Sequence, residues 1–213
     1  MKIYSIIFLT SAIILAVIAC ILPNWSKNEI VGNLKFGNNF SAKLDMSRND
    51  GLWLKCKKYT DSLNFKGVTP ADSSKILSES GLKNECKKYG TPGVPEPEGN
   101  LASKILSIVG PSLLLISTLF VGIGYNHSKL VGVVGIWCML ALVLVYPLLV
   151  LNHINNDEKT NRICKLPATM SNVVDVKCHT GTLSTSYFLE IGAIVLAIIG
   201  LVIHTGKSSK RIK

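Results

Sequence analysis

The sequence predicts an all-α membrane protein, a left-handed four-helix transmembrane bundle with a small antiparallel β-sheet in its first outer loop. Three observations carry this expectation. Hydrophobic residues fill 48% of the 213 positions and charged residues only 17%, too apolar for an average soluble domain. Four runs are long and apolar enough to cross a bilayer, which takes about 20 helical residues. The two long segments between them hold four of the six cysteines.

The spans read as 3–22, 105–125, 130–151 and 187–204, within a single domain covering 1–213. The first three carry no charge, and the fourth carries Glu190 near one end. In hydrocarbon each span has to close its own backbone hydrogen bonds, so helices are expected. The runs do not alternate as the strands of a membrane barrel do. Met1-Lys2 and the apolar run behind it also resemble a signal peptide, with Val17-Ile18-Ala19-Cys20 similar to a lipoprotein cleavage site. That run continues through Ile21-Leu22 without an A-x-A site, so it is expected to stay as the first helix.

Orientation follows from Lys and Arg. The tail 205–213 contains Lys207, Lys210, Arg211 and Lys213 and no acid, Lys2 precedes the first span, and Lys129 flanks the short turn Asn126-His127-Ser128. Short basic flanks stay in the cytoplasm, so both termini are expected there and loops 23–103 and 152–186 outside. The formal charge of +10 is divided between tail and loops, with no compact basic domain for nucleic acid. The basic tail suits anionic membrane lipid instead.

Cys20 and Cys138 fall inside spans, where a cysteine is ordinarily a small hydrophobe. Cys56 and Cys86 lie in the first loop, Cys164 and Cys178 in the second. Four outer cysteines allow three connectivities. The pairs Cys56–Cys86 and Cys164–Cys178, each within one loop, are favoured, and bridges between the loops are the alternative.

Within the first loop, residues 29–36 and 40–44 read as strands joined by a Gly37-Asn38-Asn39 turn. Residues 51–56 alternate, which predicts a strand with Leu52, Leu54 and Cys56 on one face and Trp53 and Lys55 on the other. A further strand is expected around Cys86. Residues 69–77 read as helical or irregular and 90–99 as a loop. Gly51-Leu52 and Cys56-Lys57-Lys58-Tyr59 are echoed in Gly81-Leu82 and Cys86-Lys87-Lys88-Tyr89. Asn39, in the sequon Asn39-Phe40-Ser41, is the candidate glycosylation site.

In the spans, Gly132, Gly135, Gly192 and Gly200 offer close helix contacts, and Pro147 is expected to bend the third helix. Glu190 is expected to anchor at the membrane interface, paired with Lys104. No catalytic motif is present, the four histidines are scattered, and no cysteine–histidine cluster has zinc spacing. Neither an enzyme, nor a cofactor, nor a metal site is expected.

The set Trp25, Gly51-Leu52-Trp53, Cys56 and Cys86 resembles the claudin family, within the superfamily that includes peripheral-myelin proteins and calcium-channel gamma subunits. Phe36-Gly37-Asn38-Asn39-Phe40 is similar to the claudin turn before that motif. The resemblance implies a junctional membrane protein that acts in adhesion and as a paracellular barrier or ion-selective path. Its partners would be four-helix membrane proteins, in homo- or hetero-oligomers in cis and trans. It also makes Lys87, beside the second signature cysteine, the candidate selectivity residue. Three features differ from claudins: the wider spacing of Cys56 and Cys86, the second-loop cysteine pair, and an ending Arg211-Ile212-Lys213 where a PDZ domain would capture an apolar residue. The wide spacing is closer to gamma-type subunits, so the alternative is an auxiliary subunit modulating an ion channel.

Overall fold

The computed structural model describes residues 2–36, 40–60, 85–125, 127–153 and 174–205. Helix α1 covers Lys2–Ile21 and leads into two long strands, β1 (Ser26–Phe36) and β2 (Phe40–Asp50). Strands β3 (Leu54–Thr60) and β4 (Glu85–Lys88) follow, then helices α2 (Asn100–Ile123) and α3 (Ser128–Val145). A π-helical turn, Tyr146–Leu151, continues α3; after it come β5 (Val174–Leu183) and α4 (Thr185–Thr205).

The helices close a ring in which α1 packs on α2 and α4, and α3 on the same two. All four are long and apolar enough to span a membrane. Helix α2 begins five residues ahead of the predicted span, because Asn100 and Ser103 are buried against neighbouring structure although polar. Leu9, Leu114, Met139, Ala193 and Leu201 fill the interior. Ile14, Leu119, Trp137 and Val202 point outward, an arrangement that suits lipid as the surrounding solvent. The chain is a multi-pass membrane protein by this architecture.

Small residues set the closest crossing. A Cβ on Gly135 would lie 3.1 Å from the Gly110 carbonyl oxygen, so α2 and α3 meet nearly backbone to backbone. Gly132 and Gly200 also face neighbouring side chains, Ser117 with Leu201 and Leu9 respectively, whereas Gly192 faces open space, contrary to expectation. Pro147 lies inside the π-helical turn, where the ring denies the regular ladder a donor.

Glu190 corrects a second expectation. It is 1% exposed, and its Oε1 has no hydrogen-bond partner. Lys104 pairs with Glu96 instead. Glu190 and Lys104 sit on different helices, and the acid nearer in sequence, on the approach to α2, takes the lysine.

The sheet runs β4-β3-β2-β1-β5, antiparallel throughout. It was expected within the first loop alone, yet β5 comes from the second loop and pairs with β1 from Ser26↔Leu183 to Leu34↔Val174. Two-stranded ribbons are marginal alone, and β5 gives β1 a partner on its open side. Strands β1 and β2 pair over eleven positions, from Ser26↔Asp50 to Phe36↔Phe40, longer than the runs read from sequence. Register pairing extended them through Arg48 and Asp50, polar residues with no strand signature of their own.

Candidate functional site

The sheet meets the bundle at a compact node, built around Trp25 and the residues 50–53. Trp25 is fully buried and its Nε1 donates to the Ala19 carbonyl at 2.7 Å, closing the exit of α1. Its backbone N–H donates to the Asp50 carbonyl at 3.1 Å, and its own carbonyl accepts from Ser184 N–H at 3.0 Å. One tryptophan therefore ties α1, the sheet and the entrance to α4. The ring packs against Tyr146 with centroids 4.9 Å apart and, edge-on, against Tyr187 at 6.2 Å.

Gly51, Leu52 and Trp53 do not continue a strand, as the alternation predicted. They form a bend in which Gly51 N–H donates to the Leu54 carbonyl at 2.8 Å, and β3 starts only at Leu54. The alternating faces hold from Leu54 onward, but Leu52 instead drops into the node, fully buried. Its carbonyl accepts from Asn100 Nδ2 at 3.1 Å, which binds the bend to the start of α2. Trp53 is half-buried, and its Nε1 lies 3.4 Å from Cys20 Sγ.

Around this bend lies a buried polar cluster. Asp50 is fully buried; Arg48 Nε stands 3.0 Å from its Oδ1 and 2.7 Å from its Oδ2. The Tyr89 hydroxyl donates to Oδ1 at 2.8 Å. The Tyr146 hydroxyl lies 3.2 Å from both Ser26 Oγ and the Asp50 carbonyl oxygen. Burial pushes the Tyr89 hydroxyl well above its ordinary value, and the adjacent Asp50 charge and hydrogen bond push the same way, against the weaker pull of Arg48. Glu96 bonds both Asn100 Nδ2 and Lys104, and the Lys104 ammonium sits 5.3 Å from the Trp53 ring and 6.0 Å from that of Tyr89.

Cys56 and Cys86 are disulfide-bonded and directly opposed in the β3–β4 register. Lys87, next to Cys86, is exposed and pairs with Glu85 at 3.0 Å. Cys20 and Cys138 are free and half-buried. Asn39, Cys164 and the side chain of Cys178 lie outside the described residues, so the second predicted disulfide and the sequon fall there too. Among the described residues, no group of histidine, cysteine and carboxylate side chains is placed to hold a metal.

The structure thus brings Trp25, Gly51, Leu52 and Trp53 together and joins Cys56 to Cys86, while Lys87 stands apart on the outer hairpin. Sequence reasoning missed Asp50, Arg48, Asn100, Tyr146 and Tyr187, and it singled out Tyr89 only within Cys86-Lys87-Lys88-Tyr89, with no role of its own. Asp50 adjoins Gly51-Leu52-Trp53, so its placement was a usable signal; Tyr146 and Tyr187, at the sheet end of apolar helices, fit the interfacial preference of tyrosine.

The fold and node define a class: a multi-pass membrane protein whose disulfide-tied sheet is locked onto one end of four spans. No family model matches the chain, and no curated protein aligns with it significantly.

Proposed function

We propose that this chain is a claudin-like membrane protein of cell–cell contacts, with the sheet facing outward and mediating adhesion and a paracellular barrier or ion-selective path. The observation that carries the reading is the convergence of the signature residues. Trp25, Gly51, Leu52 and Trp53 meet at one node, and the Cys56–Cys86 bond ties the strands that leave it. That is the arrangement a family motif of a tryptophan, a Gly-Leu-Trp bend and two cysteines needs.

Sidedness is argued from chemistry. A disulfide persists in an oxidising compartment, which favours the outer side for the sheet. Lys2 and Lys129 flank the opposite end, where short basic segments are retained in the cytoplasm. The bundle is taken as left-handed, the commoner hand for membrane helices. Protomers would associate within one membrane and meet their counterparts across the intercellular gap.

In this reading Lys87 lines the path, and its ammonium group repels cations. Glu85 beside it moderates that charge, so selectivity for anions is modest. A tagged copy expressed in an epithelial layer should concentrate at cell contacts. K87D should shift the permeability ratio toward cations. Diffuse surface staining with unchanged conductance would remove the proposal.

One observation favours a second reading, an auxiliary subunit of an ion channel. The disulfide closes a sequence separation of 30, wide for a claudin and closer to the spacing of gamma-type subunits. Stoichiometric co-purification with a channel, without enrichment at contacts, would select this reading.

A further inference from the structure

Two buried polar side chains on α4 stand without a partner among the described residues. Ser186 Oγ and Glu190 Oε1 make no hydrogen bond, although Ser186 is fully buried and Glu190 is 1% exposed. Four residues separate them, which stacks them on one face of the helix, about 6 Å apart along its axis. The contrast with the other spans is sharp. The buried hydroxyls of Ser5, Ser103, Ser107, Ser117 and Ser128 are all bonded.

A carboxylate held inside a membrane bundle is costly unless a cation accompanies it. Among the described residues no cationic side chain takes that place. Lys104 is engaged by Glu96, and Lys2 and Lys129 open α1 and α3 at the opposite end of the bundle.

The face that carries the pair meets α1. About three turns beyond Glu190, Gly200 approaches Leu9, and its carbonyl accepts from the Ser5 hydroxyl at 2.7 Å. At the other end, Ser186 N–H donates to the Asn24 carbonyl at 3.0 Å. The antiparallel register between these points sets Glu190 opposite the last turn of α1, where Ala16 and Ala19 offer it no polar side chain. There α1 runs out of donors: Pro23 has no N–H, and the final carbonyls of a helix carry its negative pole. Trp25 takes the Ala19 carbonyl, and its ring, packed on Tyr187, covers the seam on the sheet side.

We propose that Ser186 and Glu190 bind a small monovalent cation of the sodium class between the start of α4 and the end of α1. Carboxylate and hydroxyl oxygens are hard ligands, and carbonyls at a helix C-terminus suit the same ion in membrane proteins. One carboxylate balances a single charge. A divalent ion calls for more acid, and no three histidine, cysteine or carboxylate side chains cluster among the described residues. The bound ion pins α1 to α4 just beneath the node. This site is independent of the junctional reading.

The test is thermal unfolding of the full chain in detergent, with sodium chloride exchanged for choline chloride at constant ionic strength. Sodium should raise the wild-type midpoint by about 5 °C and saturate. E190Q keeps the shape of the side chain and should abolish the response. S186A should keep it but need about tenfold more sodium. Equal wild-type midpoints in the two salts would overturn the site. A response that persists in E190Q is a general salt effect and overturns it too, as does one unchanged in S186A. So does a midpoint that follows pH and ignores sodium, the behaviour of a merely protonated carboxyl. If E190Q does not fold, equilibrium binding of radioactive sodium to the wild type decides: one ion per chain supports the site, and none overturns it.

Discussion

A Cβ built on Gly51 would lie 2.6 Å from Pro23 Cα and 3.2 Å from the Leu22 carbonyl oxygen. Both are backbone atoms, so no side-chain rotation relieves the contact. G51A should therefore destabilise the protein by about 1–3 kcal/mol, the usual range for overpacking. Thermal unfolding in detergent measures this, and an unchanged midpoint would refute the close approach. Tyr89 supplies a pH-dependent contact. The folded chain holds the Tyr89 proton more tightly than the unfolded chain does. Its contribution is therefore complete below the ordinary tyrosine value of about 10 and is lost as pH climbs toward the raised folded value. In alkaline denaturation, wild type should lose stability more steeply above about pH 10 than Y89F does. Parallel curves would show that the hydroxyl has no such linkage.

At the scale of elements, β4 is short and exposed, and only four residues pair it to β3. The Cys56–Cys86 bond constrains it far more than that ladder does. It closes a separation of 30 residues, which removes about 3–4 kcal/mol of unfolded-chain entropy. C56S/C86S should lose about that much stability, and amide exchange should accelerate in β4 and β3 before β1 and β2. Uniform acceleration across the sheet would argue against a locally acting clamp. Helix α2 has a different anchor: Asn100 donates to both Leu52 and Glu96, so its first turn is held by the bend and not by a side-chain cap.

For the whole molecule, four spans return the chain to its starting side. In the proposed topology Lys2 and Thr205 therefore share the membrane face opposite the sheet. A membrane-impermeant amine reagent should modify Lys58 and Lys88 from one side of sealed vesicles, and protease should remove terminal tags only from the other. Access to both from one side would overturn the topology. The spans were legible because each is a long apolar run whose signal does not depend on partners. The parity of the outer thiols left three pairings open, and the favoured one within the first loop, Cys56–Cys86, is formed. The node was not: Gly51 reads as part of an alternating strand until Pro23 is seen against it, and Asp50 gains meaning only beside Arg48 and Tyr89. The fifth strand escaped because 174–183 pairs with a partner almost 150 positions earlier, and periodicity within one segment cannot report that.

That distant pairing has a mechanical meaning. With β5 laced to β1 and followed at once by α4, the two loops share one lever arm. A tug on the second loop is delivered to Trp25 and through it to the exit of α1. Whatever grips either loop turns the whole head, and the torque reaches α1 and α4 together.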